Sequence, residues 1–334
     1  MLKTTLYFAG SGTAQANKYI IDNGWSRLFS QLNDRTSIKK WTEIKDNKPE
    51  LKLFIDSGAF SMYSKGKTVD EDDYINYINT YGKYFNVTTQ IDVIPGTLSA
   101  MTDPKVYLNA PRKSWDNFLR MRDKISTEFR DHFIPVHHEG EDFKWLDNML
   151  TWKDPVTNEP LKYIAISPHN ETSIADRFAY CKECFKRIAE LNPTVDVHGF
   201  GMTALDILPY LQFTSVDSTT WLQTAIHGCI MVKRQGRFKA ISIGERTTHV
   251  DNHFCYLGKE AKEEVIKLVE ELGFSSEGLR NLKPGGSPSS AEDTVPDITN
   301  SIAERQMFNA KSMINFMETS EHVALPKSVR RIGG

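Results

Sequence analysis

The chain has 334 residues, too long for one small sandwich and suited to a single (β/α) barrel with additions. Apolar residues make up 40% and charged residues 25%, which excludes a disordered chain. A net charge of −2 excludes a general basic coat, so any nucleic-acid contact must come from a local patch.

Short apolar runs alternate with longer amphipathic stretches. The runs lie at 5–9, 51–55, 87–91, 133–136, 163–166, 195–197 and 213–216, and an eighth is expected at 229–232 or 240–243. Each is short and aliphatic or aromatic, as strands buried on both faces are. Between them, 70–84, 114–125, 174–191 and 260–272 carry helical spacing; Tyr74, Ile75, Tyr77, Ile78 and Tyr81 form one such stripe. Strands alternating with helices indicate parallel βαβ units. Seven or eight of them favour a closed TIM (β/α)8 barrel, with an open doubly wound sheet as the alternative. The segments 39–50 and 246–256 read as small insertions. The expected organisation is one barrel domain over 1–334, with a Pro/Gly/Ser-rich surface loop near 283–296 and a C-terminal helix near 298–317.

Four cysteines are too few for a disulfide scaffold, no charged-then-apolar leader opens the chain, and no run of about 18 apolar residues occurs. The expectation is a reducing, cytoplasmic location with no membrane contact.

The active site of a parallel barrel lies at the C-terminal ends of its strands. Six strand ends deliver a polar group or a glycine turn there: Asp56-Ser57-Gly58, Asp92, His137-His138-Glu139-Gly140, Ser167-Pro168-His169-Asn170, His198-Gly199-Phe200-Gly201 and Asp217-Ser218. An aspartate after a strand is ordinarily a helix cap. Three aspartates and several histidines around one mouth exceed what capping needs. Paired carboxylates suit sugar chemistry, with one as nucleophile on an anomeric carbon and the other handling a proton. Metal-assisted hydrolysis through His and Asp is the alternative, and a barrel that only binds is a third reading.

Asp56-Ser57-Gly58-Ala59-Phe60 resembles the first aspartate motif of the tRNA-guanine transglycosylase superfamily, and Gln90-Ile91-Asp92-Val93-Ile94-Pro95 resembles the second. Val136-His137-His138-Glu139-Gly140 is similar to the family's Val-Gln-Gly turn, and His198-Gly199-Phe200-Gly201-Met202-Thr203 to its Gly-Val-Gly-Thr turn. Asp217 follows about fifteen residues later, where the family places its nucleophile. The resemblance spans about 50–230. It implies Asp217 as nucleophile on C1′, Asp56 as general acid/base, and Asp92 reading a guanine-like edge with Ser57 assisting. His137 stands at the base-reading glutamine. Phe60 and His198 would stack on a flipped base, with Gly199 and Gly201 allowing close backbone approach.

The family's zinc cluster after the nucleophile is absent. Cys181 and Cys184 form a Cys-x-x-Cys inside a helical pattern instead, read as two thiols one turn apart, with a zinc site built from them and a distant His or Cys as the alternative; no cofactor is expected. These departures, with Asp-Ser-Gly-Ala-Phe-Ser and His-Gly-Phe-Gly, look like the phage-type DNA 7-deazaguanine transglycosylases. That resemblance implies replacement of guanine in duplex DNA by a 7-deazaguanine base, a modification that evades restriction. Action on tRNA is the alternative. Lys233, Arg234, Arg237 and Lys239 are the expected nucleic-acid patch, and Lys327, Arg330 and Arg331 form a second basic cluster.

Overall fold

A computed structural model describes residues 1–63, 68–93, 104–169, 171–202, 204–247, 251–284 and 295–323; the side chains of Phe60, Tyr63 and 104–108 lie outside that description. The expected loop near 283–296 and the cluster at Lys327, Arg330 and Arg331 fall largely or wholly outside the described residues.

The chain folds as an α/β barrel. The strands are β1 (Thr5–Ala9), β2 (Arg27–Ser30), β3 (Leu53–Asp56), β4 (Val87–Thr89), β5 (Phe133–Ile134), β6 (Val136–His138), β7 (Tyr163–Ser167), β8 (Asp196–Gly199) and β9 (Ser215–Ser218). They form one parallel sheet in the order β5-β4-β3-β2-β1-β9-β8-β7-β6. The two ends of that order are halves of one chain segment, interrupted at Pro135, which has no N–H to donate. Phe133 and Ile134 pair with β4, and Val136 to His138 pair with β7. The Pro135 carbonyl still accepts from the Ala165 N–H at 2.8 Å. The segment therefore closes the ring, and with β5 and β6 counted as one strand the described residues give the barrel eight.

Side chains alternate along each strand. Tyr7, Leu28, Phe54, Val87, Ile134, Val136 and Ala165 pack together inside the barrel. Their neighbours Leu6, Phe8, Phe29, Leu53, Ile55, Phe133, Ile164, Ile166 and Val216 face outward and join the larger core under the helices. Those helices are α1 (Ala14–Asp22), α2 (Arg35–Asn47), α3 (Ala59–Tyr63), α4 (Glu71–Tyr81), α5 (Pro104–Lys124), α6 (Lys144–Thr151), α7 (Ile174–Leu191) and α8 (Thr220–Ile226). Thr13, Asp70 and Ser173 cap α1, α4 and α7 through their side chains, as such residues favour.

Two expectations are corrected here. The missing strand is β2, not a run after 229. It escapes a hydropathy reading because Arg27 begins it and Ser30 ends it. Arg27 is nonetheless buried: its guanidinium lies 5.2 Å from the Phe29 and Trp41 rings and 5.6 Å from Trp221, and it donates to the Gly10 carbonyl. The segment 39–50, read as an insertion, belongs mostly to α2, the helix that joins β2 to β3.

After α8 come an antiparallel hairpin, β10 (Cys229–Arg234) and β11 (Arg237–Ser242), then α9 (Lys259–Glu271), α10 (Glu277–Asn281) and α11 (Ile302–Thr319). Ile230, Val232, Ile241, Val265, Ile266, Val269 and Phe308 give this part its own apolar cluster. Helix α11 runs the length of the barrel. Gln306 near its start accepts from the Thr13 N–H just past β1, and the Met317 carbonyl near its end accepts from the Leu2 N–H just before β1. Among the described residues, no helix is long and apolar enough to cross a membrane.

Candidate active site

Asp217 faces into the barrel mouth on β9. Its Oδ1 accepts the Gly201 N–H at 2.9 Å, and His198 Nε2 lies 3.3 Å away. Gly201 sits at φ +59°, a conformation that glycine adopts without strain and that aims its N–H at the carboxylate. The Asp217 carbonyl accepts from the Met202 N–H, which fixes the backbone as well. Among the described residues every bond to the carboxylate ends on Oδ1, so Oδ2 is left to the mouth.

His198 stands beneath this carboxylate, fully buried. Its Nδ1 is 2.6 Å from Ser215 Oγ, and its ring lies 4.4 Å from Phe54 and 4.6 Å from Phe200. Burial lowers its pKa and outweighs the pull of Asp217, so the ring is neutral. The expected stacking of His198 on a base is not what this placement offers. Both ring nitrogens and both faces are engaged within the barrel, and the residue positions Asp217. Phe200, partly exposed two residues on, is the aromatic that sequence reasoning passed over.

Asp56 ends β3, two residues past the inward Phe54. Its Oδ2 accepts the Gly58 N–H at 3.1 Å and its Oδ1 the Thr89 hydroxyl at 3.2 Å. Burial raises its pKa, the charges of Asp92 and Asp217 raise it further, and the two hydrogen bonds only partly offset them; the result is about 6. That Asp56 feels both other carboxylates places all three around one mouth. Ser57 differs from expectation. It is buried, its N–H donates to Thr89 Oγ1, and its hydroxyl accepts from the Ala59 N–H, so it shapes the turn into α3.

Asp92 follows β4. Gln90 Nε2 donates to its Oδ1 at 2.6 Å, and His138 Nε2 lies 3.4 Å from its Oδ2. On the other side His138 Nδ1 is 3.3 Å from Glu141 Oε1. Burial opposes a charge on His138, but Asp92 and Glu141 overcome it and raise its pKa to about 10, so it is an imidazolium at neutral pH. Burial likewise opposes the Glu141 carboxylate, and the His138 hydrogen bond and charge hold its pKa below the ordinary value.

His138 occupies this place because it lies two residues past the inward Val136. His137, expected to read the base, points the other way. It is buried in a cluster with the rings of Phe143 and Tyr180, with Nδ1 2.9 Å from Tyr180 Oη, and burial lowers its pKa to about 4. A shift of one residue along a strand exchanges the faces, and the adjacent pair of histidines gives the sequence no sign of which is inside.

Gly199 also faces outward. A Cβ there would lie 2.7 Å from Phe213 Cε1 and 2.8 Å from Met202 Cγ, so its role is close packing under the helices, not approach to a ligand. The backbone of Phe60 lies in α3, but its side chain is outside the described residues, as are Ile94, Pro95 and Thr203 of the quoted motifs. Cys181 and Cys184 lie one turn apart on α7, both buried as free thiols with their pKa raised by burial. Among the described residues, no three His, Cys, Asp or Glu side chains converge as metal ligands.

Lys233, Arg234, Arg237 and Lys239 are brought together by the β10–β11 hairpin, but away from the mouth. Lys233 Nζ reaches Ser320 Oγ at 3.4 Å, just beyond the end of α11 that meets the residue before β1. The mouth end of α11, at Gln306, is roughly 20 Å distant at 1.5 Å per residue. Arg234 is also paired, with Glu264 at 3.0 Å.

The arrangement offers a carboxylate oxygen fixed for attack (Asp217), a second carboxyl group whose pKa suits proton transfer near neutrality (Asp56), and a third carboxylate bridged to an imidazolium (Asp92). No protein-family model and no curated protein matches the chain.

Proposed function

We propose that the protein is a base-exchange transglycosylase that replaces guanine in DNA with a 7-deazaguanine base. The observation that carries this reading is the pairing of Asp217, oriented through Oδ1 alone, with Asp56, an acid of raised pKa that senses its charge. Asp217 Oδ2 attacks C1′ of the target nucleoside as the C1′–N9 bond breaks, and Asp56 in its acid form protonates the leaving guanine. The incoming base then loses its N9 proton to Asp56, and its N9 displaces Asp217 from C1′. Two inversions retain configuration. Asp92 accepts hydrogen bonds from the guanine-like edge, with Gln90 and His138 holding its carboxylate. A base within a duplex is out of reach, so it is flipped into the mouth at a cost of about a few kcal/mol. The likeness of the motifs to the DNA-modifying branch favours DNA over tRNA.

The test is trapping. A labelled guanine-containing duplex, incubated without incoming base, should yield a denaturation-resistant protein–DNA adduct that Asp217→Ala cannot form. Nucleoside mass spectrometry of DNA and tRNA from expressing cells should find the new base in DNA. An adduct formed equally by Asp217→Ala removes the nucleophile assignment. New base in tRNA alone replaces DNA with tRNA as substrate.

A further inference from the structure

A groove of about 380 Å³ runs down the outside of the barrel between α2 and α4. Arg35 and Lys39 line it from α2; Asp73, Asn76, Tyr77 and Tyr81 line it from α4. Arg35 is paired with Asp73 at 2.6 Å, which leaves Lys39 as the lining cation with no carboxylate partner among the described residues. Tyr77 is 8% exposed, and its Oη is buried with no hydrogen-bond partner among them. A buried hydroxyl without a partner is costly unless a ligand supplies one. The Tyr77 and Tyr81 rings lie 4.9 Å apart and form an aromatic wall.

The groove starts at the mouth. Arg35 opens the helix that follows the C-terminal end of β2. The Gln31 N–H donates to the Asp56 carbonyl at 2.9 Å, and its side-chain amide reaches Asp73 at 3.4 Å. A hydrogen-bonded path thus joins Asp56 to the groove wall. The hairpin cations lie at the opposite end of the barrel. On this geometry, and resting on the base-exchange reading, we propose that the α2–α4 groove takes the phosphodiester backbone of the polynucleotide whose base enters the mouth. Lys39 meets a phosphate, the Tyr77 hydroxyl donates to a phosphate oxygen, and Tyr81 packs on the sugar-base edge.

The experiment measures binding of a short labelled duplex by fluorescence anisotropy across a salt series, with lysine-reactivity footprinting of the complex. Lys39→Glu should weaken binding about tenfold, and removing one phosphate-neutralising cation should lower the slope of log affinity against log salt by about 0.9. Tyr77→Phe, which keeps the ring, should weaken it roughly threefold. The duplex should protect Lys39 from modification. Lys239→Glu, the same charge change on the hairpin, should bind as wild type. Thermal melts confirm that each variant is folded. If Lys39→Glu binds as wild type, or if Lys239→Glu is the weaker, the groove proposal is overturned while the Asp217 adduct still stands for the function. If the groove variants weaken binding but wild type forms no adduct, the base-exchange reading falls and the groove stands as a nucleic-acid surface. If wild type binds no polynucleotide, the groove proposal falls.

Discussion

Asp56 and His138 are perturbed in ways that can be measured singly. The Asp56 carboxyl has a folded pKa of about 6, above its ordinary value of 3.8, so the folded state holds the proton more tightly than the unfolded state. Its contribution to stability therefore falls as pH rises from about 4 through 6 and stays low above that. Asp56→Asn removes a buried charge and should raise the melting temperature at pH 7.5, with the gain vanishing near pH 4. The same variant should lose base exchange by about 10²-fold or more, because an amide cannot shuttle the proton. His138 has the opposite sign. Its pKa is raised from 6.5 to about 10, so the stability it lends is fully present below pH 6.5 and is lost as pH rises through 10. His138→Gln should destabilise the protein at pH 6 by about 3 kcal/mol, since Asp92 and Glu141 lose the cation between them. The difference from wild type should close toward pH 10. A constant difference across that range would show that His138 acts by packing alone. His137→Gln should show neither pattern: with its pKa lowered from 6.5 to about 4 by burial, His137 costs stability only as pH falls from 6.5 toward 4, and the variant should lack that acid loss.

At the scale of elements, the turn after β8 divides its work between neighbours. Gly201 holds Asp217, whereas Gly199 makes room for Phe213 and Met202. Gly199→Ala should cost about 1–3 kcal/mol by overpacking, seen as a lower midpoint in urea with an unchanged slope. Base affinity of the folded fraction should be retained, and a loss there without a loss of stability would return Gly199 to the ligand side. The split strand at 133–138 has the same logic. Pro135 removes one donor, yet each half keeps a partner, so the barrel closes without a continuous ladder.

For the whole molecule, the electrostatic question is where an anionic polymer can lie on a chain of net charge −2. The most visible basic cluster sits at the end of the barrel remote from the carboxylates. Arg234→Ala combined with Arg237→Ala should therefore leave duplex affinity and its salt slope within error of wild type. Were either arginine neutralising a phosphate, its removal would lower that slope by about 0.9. Stability should change by under about 1 kcal/mol, because the Arg234–Glu264 pair is a surface one. A flattened salt dependence in this variant would place the polymer on the hairpin.

The sequence by itself determined the class of fold and the identity of the three mouth carboxylates. Both depend on short-range pattern: apolar runs of strand length alternating with amphipathic stretches, and an aspartate at or just after the end of a run. Tertiary structure decided what periodicity cannot carry. Arg27 made β2 look polar, and only the aromatic rings of Phe29, Trp41 and Trp221 around its guanidinium explain a buried cation there. His137 and His138 are equivalent as neighbours in a string; the inward packing of Val136 settles which one meets Asp92. His198 looked like a ligand-stacking ring until the barrel interior closed over both its faces. The cluster from Lys233 to Lys239 stands close to Asp217 along the chain, but β10 runs beside α11 from Asn309 to Ser320 and carries it back down the barrel before the hairpin turns. Nearness in sequence lasts for about one element. Beyond that, the direction of each strand and helix fixes which end of the molecule a residue occupies.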